Sequence, residues 1–170
     1  MFKGDIDGAV QYYNMGLKYP NGEWNQSTGT ISGAFVDGLL AFTCAQRHQS
    51  DEEHWTNIAV GVIAKFSEWV KSSSWNFSHK LLLLEAEHNA LKGNDALAVE
   101  MYDLSVTTAR KHLFVHEEGL GFERAGGYHL HMGRIDTALL CYSSAKECFE
   151  RWGAHAIADR MAEQCRVISC

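Results

Sequence analysis

Proline is almost missing from this chain: Pro20 is the only one in 170 residues. So few backbone breakers over that length favour long helices. Long apolar runs are missing too. The densest patch, "LLLL" at 81–84, is flanked by His79, Lys80 and Glu85 and falls far short of the roughly 18 residues that a membrane span requires. The opening "MFKGDIDGAV" has no apolar segment of the kind that marks a secretory leader. Five cysteines (Cys44, Cys141, Cys148, Cys165, Cys170) form an odd set without CxxC spacing. They read as small apolar core residues in a reducing compartment. The expectation is a cytoplasmic protein with no membrane partner, in which the sequons at Asn25 and Asn76 carry no weight.

Positive charge is in short supply. Fifteen Lys and Arg stand against 21 Asp and Glu, a net charge of −6, and no basic stripe is present. A phosphate-backbone partner would call for one, so nucleic acid is excluded as the expected ligand. Catalytic motifs are equally scarce. There is no GxxxxGK[ST] loop, no kinase catalytic loop, no histidine-kinase phosphoacceptor segment and no GxSxG; "GAFVDG" lacks the lysine and the glycine spacing of a phosphate cradle.

What the chain does contain is an internal repeat. "GDIDGAVQYYNMG" from Gly4, "GNDALAVEMYDLS" from Gly93 and "GRIDTALLCYSSA" from Gly133 align without gaps. Each has alanine five positions after the glycine (Ala9, Ala98, Ala138), tyrosine four further (Tyr13, Tyr102, Tyr142), and a small residue three beyond that (Gly16, Ser105, Ala145). Alanine, tyrosine and the small residue share one helix face, where small side chains admit a neighbouring helix and the ring fills the remaining space. The glycine ends the previous helix in a left-handed conformation, and Asp5, Asn94 or Asp136 stands ready to cap the next.

Matching first helices precede the second and third units. "NFSHKLLLLEAEHNALK" places Ala86 seven residues before Gly93, and "EEGLGFERAGGYHLHM" places Gly126 seven before Gly133. Two further helical patterns occupy 32–48 and 51–72, a loop spans 19–30, and a final helix follows Trp152-Gly153. The fold expected is all-α: an array of antiparallel helix pairs, a tetratricopeptide-like right-handed α-solenoid of about eight helices, forming a single domain over 1–170 with its clearest repeats at 76–113 and 116–152. Gly93 and Gly133 stand 40 residues apart, longer than the standard tetratricopeptide period of about 34. The chain also opens on a second-helix pattern with no first helix before it. A repeat cannot bury its apolar face alone, so the expectation is a fragment of a longer array.

Residues 75–156 resemble the tetratricopeptide-like helical region of very large signalling proteins. There an AAA-type ATPase, often with a serine/threonine-kinase-like domain or a nucleotide cyclase, precedes the array, and a GAF sensor and histidine kinase often follow it. "HEEGL" with a following "AG", and the ending "RWGA", carry the resemblance. It implies a non-catalytic regulatory scaffold that binds a protein or peptide, other domains of its own parent chain among them, with any catalysis lying outside these residues. A free-standing adaptor with a peptide groove is the alternative.

Sharper chemistry finds little support. His112 and His116 stand beside Glu117 and Glu118, but "KHLFVHEE" straddles a turn. Glu85 and His88 form one ExxH where a di-iron bundle needs two plus further glutamates. His129 and His131, two apart, make a poor chelate. No cofactor or metal is expected. Cys141 and Cys148, seven apart, read as buried thiols, and Trp55, Trp69, Trp75 and Trp152 as rings sealing layers near helix ends. In such arrays the first helix of each pair lines the concave face. That places Lys80, Glu87, Glu123 and, more weakly, Arg160 as groove contacts.

Overall fold

The computed structural model describes Asp7, Gly8, Val10, Gln11, Tyr13, residues 28–47 and residues 51–170; of positions 28–31 only the backbone is described. Gly4, Ala9 and Gly16 lie outside these residues. Seven helices follow one another: α1 (Thr28–Arg47), α2 (Glu52–Ser72), α3 (Ser74–Leu91), α4 (Asp95–Lys111), α5 (Val115–His131), α6 (Ile135–Arg151) and α7 (His155–Ser169). Asp7, Gly8, Val10, Gln11 and Tyr13 are helical as well, and no strand occurs among the described residues. The architecture is all-α, with helices packed in consecutive pairs. The loop expected over 19–30 ends sooner, because α1 already begins at Thr28.

The chain divides into two compact units, 2–68 and 69–170, where the sequence reads as one continuous array. In the first, the Phe35 and Phe66 rings of α1 and α2 lie 5.9 Å apart, and Tyr13 of the first repeat segment meets Trp55 at 5.8 Å. In the second, each of α3 to α6 packs on the helix that follows it, and α3 also touches α5.

The second unit is built on a turn repeated four times. Gly93, Leu113, Gly133 and Gly153 adopt positive φ of 72, 64, 71 and 82°. They fall at intervals of 20 residues, between helices of 17 residues each in α4, α5 and α6. At each turn the left-handed residue donates its N–H three residues back, and the next residue donates five back. Gly93 thus reaches Ala90 at 3.2 Å and Asn94 reaches Asn89 at 2.9 Å. This is the Schellman arrangement, which satisfies carbonyls the helix end would leave open. Half the repeat is therefore one helix plus one three-residue turn. The residue after each left-handed position opens the next helix without a side-chain cap. Asn94 accordingly does not cap as expected: its amide donates to Asn89 Oδ1 at 3.2 Å. Asp136 lies inside the first turn of α6, and Asp5 lies outside the described residues.

The packing face is the one the repeat spells out. Ala86, Ala98, Tyr102, Ser105, Ala138, Tyr142 and Ala145 are all buried. Ala138, Tyr142 and Ala145 join Phe149, Ala158 and Met161 in the core of α6 and α7. On α5, glycine substitutes for alanine where helices come closest. A Cβ at Gly126 would lie 3.3 Å from both Cys141 Cβ and the Tyr142 ring, and one at Gly119 would lie 3.0 Å from Cys148 Cβ. Gly121 faces the other neighbour, with Val106 Cγ2 at 2.9 Å. The glycines of "HEEGLG" are thus contact points for α6 and α4.

Candidate functional site

Of the four residues expected to line a groove, the fold brings Glu123 and Arg160 into contact, while Lys80 and Glu87 meet other partners. Glu87 on α3 is fully buried and receives Arg124 of α5 through two hydrogen bonds, Nε to Oε1 at 2.7 Å and Nη2 to Oε2 at 2.6 Å. Tyr102 of α4 donates its hydroxyl to the same carboxylate at 2.8 Å. Glu123 on α5, also buried, receives Nη2 of Arg160 from α7 at 3.0 and 3.3 Å. Lys80, buried on α3, meets the Glu117 carboxylate of α5. Lys80, Glu87 and Glu123 are thus buried, and each meets an oppositely charged side chain of the next first helix. Arg160 is partly exposed yet directs its guanidinium to Glu123.

The pairing has a register. Glu87–Arg124 and Glu123–Arg160 are each 37 residues apart. That is three short of the 40 separating Gly93 from Gly133, so adjacent first helices are offset by nearly one turn of about 3.6 residues. Arg124 escapes sequence reasoning, although an acid paired with an arginine 37 positions on occurs twice and is a signal that could find it. Burial opposes the Arg124 charge, but Glu87 beside it more than compensates and holds the guanidinium above its usual range. Burial and the neighbouring Glu87 raise the Tyr102 hydroxyl well above the ordinary tyrosine value, so it stays a donor.

A second polar cluster lies at the start of α5. The His79 ring Nε2 faces the Glu117 carboxylate and the Lys80 ammonium, the latter at 3.2 Å, while the ring stacks on Phe114 at 4.6 Å. Ser105 donates to the His79 carbonyl at 2.8 Å, tying α4 to α3. Burial pushes His79 below the normal histidine range, against the opposing pull of Glu117. Burial alone would raise Glu117, but hydrogen bonds from His116, His79 and Lys80 outweigh it and hold the carboxyl well below the usual range.

Next to it, the buried Glu118 is held from both sides. Arg110 at the end of α4 donates Nε to Oε1 at 2.8 Å, and Arg151 at the end of α6 donates Nη2 to Oε2 at 3.1 Å. The tryptophans expected to seal layers divide by position. Trp55 is buried, and Trp69 meets Phe77 at 6.0 Å. Trp75 and Trp152 are half exposed, stacked on His112 at 4.0 Å and on His116 at 4.8 Å. His112 Nδ1 also meets the Trp75 carbonyl at 2.9 Å. The two histidines of "KHLFVHEE" therefore pack on different rings, one from α3 and one from the turn that follows α6.

Cys141 and Cys148 are both pushed up to about 11, chiefly by burial, which keeps them thiols at neutral pH. Among the described residues no three His, Cys, Asp or Glu side chains converge on a metal-sized position. Among the same residues no helix is long and apolar enough to cross a membrane. Comparison with protein-family models, curated proteins and solved structures gives no match to this chain.

Proposed function

We propose that this chain is a non-catalytic helical repeat scaffold that mediates protein–protein contact in a cytoplasmic signalling assembly of ATPase, kinase or cyclase type. The partner is another domain of its parent protein or a separate protein. The observation that carries the reading is the internal use of the buried polar groups. Glu87, Arg124, Glu123 and Arg160 bond to one another from helix to helix, which builds a stiff repeat unit and leaves recognition to outward-facing residues. Apolar side chains are exposed on the second helices, among them Leu97 and Leu104 of α4 and Leu140 of α6. Apolar groups held outward on a rigid frame are a common basis for partner binding. The resemblance of residues 75–156 to the helical region of large signalling proteins supplies the cellular context.

Proximity labelling in the cell of origin tests this, with the chain carrying a labelling enzyme and compared with Leu104→Asp/Leu140→Asp. Loss of a defined partner set, with the helical circular-dichroism signal retained, is the expected result. An identical labelled set for both proteins would count against the reading.

A further inference from the structure

The described turn edge of the second unit concentrates side chains that the helix-to-helix pairing does not use up. It comprises the start of α3, the α4–α5 turn, the end of α6 and the α6–α7 turn, linked through the Trp75–His112 stack, the shared Glu118 carboxylate and the His116–Trp152 stack. Arg110 and Arg151 sit at its centre. Each gives one edge of its guanidinium to a different oxygen of Glu118, and their side chains remain 59% and 57% exposed. A guanidinium carries five N–H donors, and Glu118 takes one nitrogen of each. Arg151 Nη2 also meets Cys148 Sγ at 3.8 Å, and the Arg110 guanidinium lies 5.7 Å from the Phe122 ring centre.

One buried carboxylate faces two arginines, and Lys111 stands exposed beside Arg110. The adjacent acid Glu117 is engaged by His79, Lys80 and His116, and Glu150 is engaged by Lys146 at 2.7 Å. Glu118 also fixes the two guanidinium groups relative to each other, which lowers the ordering cost when they meet an anion. On either side the half-exposed Trp75 and Trp152 and the exposed Leu113 add apolar surface. Tryptophan and arginine are the residues that dominate binding energy at protein interfaces.

From this arrangement we infer that the Arg110–Arg151 pair, flanked by Trp75 and Trp152, docks a short acidic peptide segment that places carboxylates on the guanidiniums and an apolar side chain against a tryptophan. The inference rests on the scaffold reading and names its partner's chemistry. A peptide fits better than a nucleic acid. The basic area is only a few residues wide on a chain of net charge −6, and a long polyanion would be repelled by the rest of the surface.

The test is fluorescence anisotropy on the full chain with two labelled synthetic peptides. One alternates Glu or Asp with Leu; its counterpart carries Gln and Asn in place of the acids. Binding of the acidic peptide, weakened by salt, and at least tenfold weaker binding of the neutral one are expected. Arg110→Gln/Glu118→Gln/Arg151→Gln removes both cations without leaving a buried charge behind, and it should weaken the acidic peptide at least tenfold. Trp152→Ala, at a half-exposed position, should weaken it at least threefold and serves if the triple variant does not fold. Equal binding of both peptides, no binding of the acidic one, or full affinity in both variants would overturn the inference. Failure of the peptide assay, with partner loss still seen for Leu104→Asp/Leu140→Asp, would overturn the docking surface and leave the scaffold standing.

Discussion

Arg124 on α5 grips Glu87 on α3 through two parallel hydrogen bonds in a site closed to solvent. Neither charge has water to fall back on, so the cost of breaking the pair is set by the partner left behind. Arg124→Gln strips the Glu87 carboxylate of its cation, leaves the Tyr102 hydroxyl bonded to it, and should lower stability by about 3–5 kcal/mol. Glu87→Gln/Arg124→Gln removes both charges and should recover at least half of that loss. Urea denaturation of the two variants checks the pair, and a single variant costing under about 1 kcal/mol would contradict it.

Acid should weaken the second unit before its carboxylates titrate. Burial lowers the folded pKa of His79 from the usual 6.5, despite the opposing hydrogen bond to Glu117. Below 6.5 the unfolded chain takes up a proton that the folded chain refuses. The His79 contribution is therefore complete above pH 6.5 and is lost as the pH falls through the folded value. Burial lowers His88 and His129 in the same sense. Glu117, depressed from 4.5, adds a further loss at lower pH. Unfolding free energies between about pH 7 and 5 should decline, with a smaller slope in His79→Gln.

Leu113 is the one non-glycine residue with positive φ among the described residues, in a turn that uses glycine at its three other occurrences. A left-handed backbone costs an L side chain about 1–2 kcal/mol, and the side chain here is exposed, so little burial is at stake. Leu113→Gly should stabilise by up to about 1 kcal/mol once the greater chain entropy of glycine is subtracted. Leu113→Ala keeps the Cβ and should bring no comparable gain. Thermal melts of the two variants distinguish strain from a simple effect of side-chain size.

Gly119 and Gly61 predict opposite outcomes for the same substitution. A Cβ at Gly119 would stand 3.0 Å from Cys148 Cβ and 3.2 Å from the Phe149 ring, whereas at Gly61 in α2 nothing lies within 4 Å. Gly61→Ala should stabilise by about 0.5–1 kcal/mol through helix propensity. Gly119→Ala gains the same propensity but must push α6 away, and overpacking of about 1–3 kcal/mol should make the net effect destabilising. Denaturant midpoints settle both signs.

The repeat face is legible in the sequence alone. Ala98, Tyr102 and Ser105, and Ala138, Tyr142 and Ala145, are buried as their i, i+4, i+7 spacing implies. Leu113 is not legible as a turn centre, because leucine there contradicts local preference and only the flanking helices force the left-handed conformation. Lys80, Glu87 and Glu123 are recognisable as first-helix charges, but the partner each meets, 37 residues on, is not. Periodicity places a residue on a face without saying which neighbour covers it. Arg124 stays hidden because buried arginines are uncommon unless paired, and its partner sits 37 residues away.

Local chemistry in the chain is sufficient for helix content, the 40-residue spacing from Gly93 to Gly133 and the small-residue face. Each of these follows from short-range sterics and from apolar periodicity. The division into units 2–68 and 69–170, the Glu87–Arg124 and Glu123–Arg160 links, and the meeting of Arg110 with Arg151 on Glu118 follow from packing. They depend on how far one helix slides along the next, and that offset is set by many side chains filling space at once.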